Sequence, residues 1–475
     1  SLTNGAEIDA STFGQGNAGE VNITATGDLT FDGETSEGFG SGATSQVAPD
    51  AVGNAGGITI STNNLTLTNG GKVDASTFGQ GNAGSVDITA TGDLTFDGET
   101  SEGFGSGATS QVNPGAEGNA GGITIKTSNL NLTNGGVVSA STLGQGDAGN
   151  VSIDASDSIF ISDSGRSRSG IYADAVIEDG SGGDINISTN QLTIANGGTI
   201  EATNFESLEE FTPGTGQPGN IFIQASNLDL ANTARIDAAT QSETGESGKI
   251  DLQIAEDITL QENSFISARA FNKADGGNLN IDARFIVASP SNGTGNDLVA
   301  TAEQGTGGNI NLNAEQIFGL ETGEAINGEG NFIDNNNNDI DASSNVFGFD
   351  GTINIDTSDI NPIQGATELP SNVVELQQNV ANACEAGRGT ANNGLAIAGK
   401  GGVPPAPDTP LNSDNIISSE QNSAAFAIPE PIETSQGKIQ PARGIKVSKS
   451  GKISLTAYRT NNAGERIPEI KPNCN

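Results

Sequence analysis

The feature that most constrains this chain is a repeat. Leu2-Thr-Asn-Gly5 returns as Leu67-Thr-Asn-Gly70 and again as Leu132-Thr-Asn-Gly135, a period of 65 residues, and Phe31–Val47 returns nearly unchanged as Phe96–Val112. Each 65-residue stretch divides further. The pattern Gly-x-apolar-x-apolar starts at Gly19, Gly56, Gly84, Gly121, Gly149, Gly183, Gly219, Gly248, Gly277, Gly308 and Gly351, eleven starts spaced 28 to 43 residues apart. A chain of similar units that cannot each bury an apolar face alone must stack them.

Inside a unit the order is constant. A short alternating strand such as Val21-Asn-Ile23 comes first, then a second such as Leu29-Thr-Phe31 or Leu65-Thr-Leu67. A glycine turn usually leads to a third: Ile8-Asp-Ala10, Val73-Asp-Ala75, Ile200-Glu-Ala202, Ile236-Asp-Ala238, Ile266-Ser-Ala268 and Ile340-Asp-Ala342. Period-two alternation marks strands buried on one face, and the Asn, Gly, Asp and Thr between them mark turns. Three short strands and no helical stretch predict one coil of a parallel β-helix. Coils would stack ~4.8 Å apart, so eleven would extend about 50 Å. A β-propeller shares the repeat length, but its blades need four longer strands and a signature that does not occur here. Residues beyond the shortest coil are expected to leave the array as loops. These are Glu34–Glu37 and Glu99–Glu102, each followed by Gly-Phe-Gly, and the insertions Asn204–Gly216 and Glu321–Asn338. Loops on a rigid scaffold are where binding concentrates.

Composition narrows the core and the partners. Only 33% of residues are hydrophobic and 4% aromatic, with no Trp, so the core has to be thin and built from Ile, Val, Leu and Ala. A net charge of −40 suits a disordered chain, but the regular alternation of the first 360 residues argues for packed strands. Such a surface repels nucleic-acid phosphates, and no basic reading helix is present. Anionic lipid headgroups are repelled too, and without a run of 18 apolar residues no membrane insertion is expected. The sequence opens at Ser1 inside a repeat and contains no Met. It is expected to be a fragment whose upstream part is missing, with a processed mature chain as the alternative.

The last unit fades after Asp359-Ile-Asn-Pro362, so the array is taken as residues 1–361. Residues 362–410 read as a junction, with a short helix predicted over Val373–Ala383 ahead of Cys384 and a Pro-rich run from Val403 to Pro410. Residues 411–437 read as a linker. Residues 438–475 hold eight Lys or Arg against Glu465 and Glu469, a charge of +6 that leaves −46 on residues 1–437. There, Ile445-Lys-Val447 and Lys452-Ile-Ser-Leu455 flank Ser448–Gly451 and are predicted to pair as a β-hairpin. Cys384 and Cys474 show no CxxC spacing and the chain has no His, which argues against zinc. They are read as one disulfide formed in an oxidising compartment. It would tie the basic tail back as a cap on the exposed end of the array. Two free thiols on a loose tail are the alternative.

Several segments resemble the C-terminal portion of cyanobacterial filamentous-haemagglutinin-like exoproteins of the two-partner-secretion, S-layer class. They are Asn338-Asp-Ile-Asp-Ala-Ser-Ser344, Gly351-Thr-Ile-Asn-Ile355, Glu368-Leu-Pro370, Asn382-Ala-Cys384, Gly399-Lys-Gly-Gly-Val-Pro-Pro405 and Ala442–Ala457. The resemblance covers the chain loosely and is specific mainly over residues 338–410. It implies an all-β, right-handed parallel β-helix (solenoid), here of about eleven coils followed by a small segment with a short helix and a β-hairpin. It also implies export through an outer-membrane partner transporter and a secreted or cell-surface location. The N-terminal secretion domain that engages the transporter is absent from this sequence, so this chain alone is not expected to recruit it.

No catalytic constellation stands out. Without His there is no His-based nucleophile pair, and Cys384 reads as a disulfide half rather than a nucleophile. Parallel β-helices also host polysaccharide lyases and hydrolases, which work with unique carboxylates. Here the acids recur at equivalent positions, as Asp9 and Asp74, Asp28 and Asp93, Glu34 and Glu99. Asp334-Asn-Asn-Asn-Asn-Asp339 followed by Ile340-Asp341 is reminiscent of a calcium loop, but Asp339 and Asn345 stand where Gly and Glu are required, so a polar loop is preferred. The repeats do not match the calcium-binding nonapeptide either. Gly14-Gln-Gly16 has no following helix or Lys and reads as a turn. The expectation is a non-catalytic structural and adhesive fibre without cofactor or metal, whose loops meet a glycan or cell-surface ligand. The alternatives are a carbohydrate-active enzyme and a passive coat.

Overall fold

Among the described residues up to 358 every pairing between strands is parallel and, apart from Glu321–Thr322 against Asp339–Asp341, it joins each strand to its counterpart in the next repeat. Val21–Thr24 lies beside Ile58–Thr62, which lies beside Val86–Ala90, which pairs with the long strand Ile123–Thr133. Leu29–Asp32, Leu65–Thr68 and Asp93–Asp97 make a second column. Both columns belong to one seventeen-stranded sheet, and a third column forms a separate sheet of twelve strands. Ile185–Ala195 and Leu279–Ala288 each run unbroken through the first two columns. Between them lie the separate strands Ile221–Ala225, Asn227–Ala231, Ile250–Ile254 and Asp257–Leu260, and the six close a circuit of pairing. The computed structural model describes residues 1–176, 180–204 and 216–358, and the strands Ile432–Thr434, Gly437–Ile439, Gly444–Val447 and Ile453–Thr456. Among these residues there is no helix. The chain divides into two units, Ser1–Ile360 and Asn361–Asn475.

Close approach explains the glycine at each start. A Cβ on Gly56, Gly84, Gly121 or any later start would come closer than 3.0 Å to the carbonyl oxygen of the start before it. None of these glycines has positive φ. The requirement is therefore room for a backbone-on-backbone contact, not a left-handed turn. The Leu-Thr-Asn-Gly signature has the other cause. After the second strand, Asn69 and Gly70 have φ of 50° and 90°, a left-handed pair that Asn and Gly adopt at least cost.

Inward side chains repeat in register. Ile23, Ile60, Ile88 and Ile125 form one row. Ile60, Ile88 and Ile125 are at most 1% exposed. Ile23, with no strand stacked on its outer side among the described residues, is half-buried. Each fully buried residue of this size contributes about 1.5–3 kcal/mol relative to exposure. The third column is longer than the sequence reading allowed. Gly42–Thr44 and Gly107–Thr109 are also third strands, with buried Ala43 between Ile8 and Val73. Their small residues hid them. From Ile8 to Ile340 the row has eleven members among the described residues.

Outward polar residues form ladders in which acid alternates with neutral. Asp32, Thr68, Asp97 and Thr133 lie in register, and Asp28, Asn64, Asp93 and Asn129 follow one another through the Asn64 side chain, which donates to Asp28 and accepts the Asp93 amide, and the Asp93–Asn129 pairing. Thr68 and Asn69 donate to the Asp32 carboxylate at 2.6 and 2.9 Å and hold it below the usual carboxylate range. Alternation places like charges two strand spacings, roughly 9.6 Å, apart. That is near the Debye length of about 8–10 Å. Directly opposed acids would destabilise the sheet, so the 65-residue period, two units rather than one, has an electrostatic reason.

Two sequence expectations need correction and others fall outside the described residues. Glu321–Asn338 is not simply a loop: Glu321–Thr322 pairs in parallel with Asp339–Asp341, and Ile326 bridges Phe332. The stretch read as a linker holds Ile432–Thr434, paired antiparallel with Gly437–Ile439. The helix expected at Val373–Ala383, Cys384, Cys474 and the interior of the 204–216 insertion lie outside the described residues. The expected tail hairpin is present, Gly444–Val447 against Ile453–Thr456, with Lys446 opposite Ser454.

This packing sets unequal costs for neighbouring positions. Ile88→Ala should lower unfolding free energy by ~2–5 kcal/mol, while Asp87→Ala, exposed on the same strand, should stay within ~0.5 kcal/mol. Gly121→Ala, which drives a methyl into the Gly84 carbonyl, should cost ~1–3 kcal/mol through forced backbone shifts. Urea titrations of the three variants measure this, and equal effects at positions 87 and 88 would contradict the strand register.

Candidate functional site

The repeated acidic stretches leave the third column as small hairpins. Glu34 bridges Gly40 and Glu99 bridges Gly105, both antiparallel. Consecutive hairpins are tied together. The Glu34 carboxylate accepts the Ser101 amide at 3.0 Å, and the Glu99 carboxylate accepts the Ser167 amide at 2.9 Å and the Arg166 amide at 3.3 Å. The Ser167 amide is the largest influence that holds Glu99 below the usual carboxylate range. Each of these glutamates holds a backbone amide of a loop about 67 residues further along. At the hairpin tips Phe39 and Phe104 are 59% and 70% exposed, and Phe13 and Phe78 are 77% and 37% exposed. Thr12, Val47 and Thr77 bridge in one row, so the backbones of Phe13 and Phe78 sit roughly 9.6 Å apart on one face. The outer surface thus carries aromatic side chains at a two-unit spacing.

Among the described strands acid faces acid in two places, both in the third column, and outside the strands the isolated bridge between Glu246 and Asp275 is a third. The first is Glu201 opposite Asp237. Asp174 lies alongside, its Oδ1 accepting the Thr203 amide and hydroxyl, both at 2.8 Å. Burial pushes Asp174 up, and burial followed by Asp174 and Asp237 pushes Glu201 up. The Arg168 guanidinium opposes that shift, and the Arg235 guanidinium lies 2.5 Å from Glu201 Oε1. Burial raises Asp237 to about 6 against the pull of Arg269, and its Oδ1 is buried without a hydrogen-bond partner. Carboxylates driven apart in this way can act as proton donor and acceptor, but Asp237 is only 5% exposed. The sequence did carry a signal. Ile200-Glu-Ala202 and Ile236-Asp-Ala238 are successive third strands, whereas Gly42-Ala-Thr44 separates Ile8-Asp-Ala10 from Val73-Asp-Ala75.

The second place is the insertion. Glu321 lies opposite Asp339, and the Asp339 amide donates to Asp297 Oδ1 at 2.8 Å. Nearby, Arg269 is clamped between the Phe271 and Phe332 rings at 5.0 and 4.8 Å and donates to the Gly330 carbonyl at 3.2 Å. Phe332 also packs on Phe265 at 4.6 Å. The insertion is therefore pinned over the third column. Among the described residues no three acidic, His or Cys side chains are grouped so as to hold a metal by themselves.

The Asp237 shift has a sign. Its folded value, about 6, lies above its ordinary 3.8. The folded state therefore binds the proton more tightly, and this stability is present below pH ~4 and lost as pH rises to about 6. Asp237→Asn should flatten that decline and raise stability at pH 7 by on the order of 2 kcal/mol, with little change at pH 4. Urea titrations at the two pH values check this, and an equal effect at both would reject the assignment.

Compared with known proteins, no family model, no curated protein and no solved structure matches the chain.

Proposed function

We propose that the first unit is a right-handed parallel β-helix of eleven coils and that it is the non-catalytic rod of a secreted or cell-surface fibre. The observation that carries this reading is the unbroken register of the third-column row from Ile8 to Ile340. A stack of this kind has little to do with a closed pocket and much to do with a long, repeated side surface. The resemblance to two-partner-secretion exoproteins supplies the export route, through an outer-membrane transporter, and the surface location. Nucleic acid and membrane insertion are not among its partners.

The ligand class follows from the surface. A charge of −40 disfavours polyanions. Exposed Phe39 and Phe104, with Phe13 and Phe78, offer flat apolar faces to sugar rings. A neutral glycan lying along the rod would gain affinity from repeated weak contacts. A fragment of residues 1–358 should show β-type circular dichroism and an elongated scattering profile of about 50 Å along its axis. A near-spherical particle would end the β-helix reading. On immobilised neutral glycans, the Phe39→Ser, Phe104→Ser double variant should bind at least ~10-fold more weakly, the scale of ~1.4 kcal/mol. Absence of any glycan binding by the parent would leave a passive coat.

One observation favours a second reading, a carbohydrate-active enzyme. The Asp174, Glu201 and Asp237 group occurs once, as a catalytic set should. Release of reducing or unsaturated sugars from polysaccharides, lost in Glu201→Gln, would replace the adhesive reading with this one.

A further inference from the structure

We propose that the junction between Gly295–Asp297 and the insertion Glu321–Asp341 binds one hard divalent cation of the calcium class, with the Asp297 and Asp339 carboxylates as its charged ligands. Elsewhere in the described strands acid faces acid only at Glu201 and Asp237, and outside the strands Glu246 bridges Asp275. Here Glu321, Asp339 and Asp297 follow one another on adjacent strands. No ion pair offsets them: the described salt bridges involve neither Asp297 nor Asp339.

Asp297 supplies an independent sign of a missing ligand. It is 0% exposed, its Oδ1 takes the Asp339 amide, and its Oδ2 is buried with no hydrogen-bond partner. A buried carboxylate oxygen without a donor is costly unless a cation or a proton sits on it. Neutral oxygens are at hand. A Cβ on Gly295 would come closer than 3.0 Å to both the Asn337 carbonyl oxygen and Asp297 Oδ1, so these two oxygens crowd the same side of Gly295 and lie close to one another. Calcium accepts six to eight oxygens from carboxylates, amides, backbone carbonyls and water in flexible geometry, so two charged ligands suffice. Asp341 is not one of them, because it already accepts the Ser343, Ala325 and Ile326 amides. A cation here would fasten the insertion, already held by Phe332 on Phe265, to the third column.

The test uses the full chain. Titration calorimetry with calcium chloride should show one bound ion, and millimolar calcium should raise the melting temperature several degrees above that in chelator. Asp297→Asn removes an unpaired buried charge, so it should fold, melt no lower in chelator, and lose the calcium increment. Asp339→Asn should also lose it, and Asp87→Asn, remote on the surface, should keep it. No calcium increment in the parent, or the same increment in both Asp297→Asn and Asp339→Asn, would overturn the proposal. A pH-dependent but calcium-independent gain in Asp297→Asn would show that a proton occupies the oxygen instead.

Discussion

Everything in the first unit depends on one distance, the ~4.8 Å between strands in a parallel sheet. At that spacing each residue meets the same position of the next repeat, so every choice is tested against its own copy. At the starts the backbones touch, and only glycine is tolerated from Gly56 to Gly351. Two residues further on, apolar side chains stack into rows, and the core becomes a set of Ile, Val, Leu and Ala columns with few aromatic members. The low aromatic content is thus not a weakness of the core but a consequence of its narrow section.

The same distance makes charge dangerous. A chain with 59 acidic residues has to keep them off one another when equal positions are stacked. It does so by pairing each repeated Asp with Thr or Asn in the neighbouring unit, and the donors then stabilise the carboxylate, as Thr68 and Asn69 do for Asp32. Against this background the two acid-on-acid contacts between strands stand apart. Places where a structure breaks its own local rule are where function is expected. Both lie on the third column, and each adjoins a long insertion, 204–216 or 321–338.

Rigid stacking and projecting loops divide the work. Hairpins fastened by Glu34 and Glu99 carry Phe39 and Phe104 outward at fixed spacing. Because their bases are strands of the stack, contacts made by one hairpin are presented again two units later. A repeated surface of this kind suits an extended partner better than a small one. The buried acids near Asp237 and Asp297 are instead single features, suited to holding a proton or an ion.

Local sequence was enough for the repeat, the period-two strands, the Asn-Gly turns and the Ile23, Ile60, Ile88 and Ile125 row, because each depends on contacts between equal positions. It did not reveal Gly42–Thr44 or Gly107–Thr109, where Ala43 and Ala108 are too small to read as strand centres, nor that Glu321–Thr322 joins the third sheet. The acid clusters were half visible, as Glu201 and Asp237 in successive motifs. What placed Asp174 beside them, buried Asp237, and left Asp297 Oδ2 without a donor was the stacking of units about 30 to 40 residues apart in sequence. Which residues face one another across that gap depends on the length of every intervening loop, and only the tertiary register fixes it.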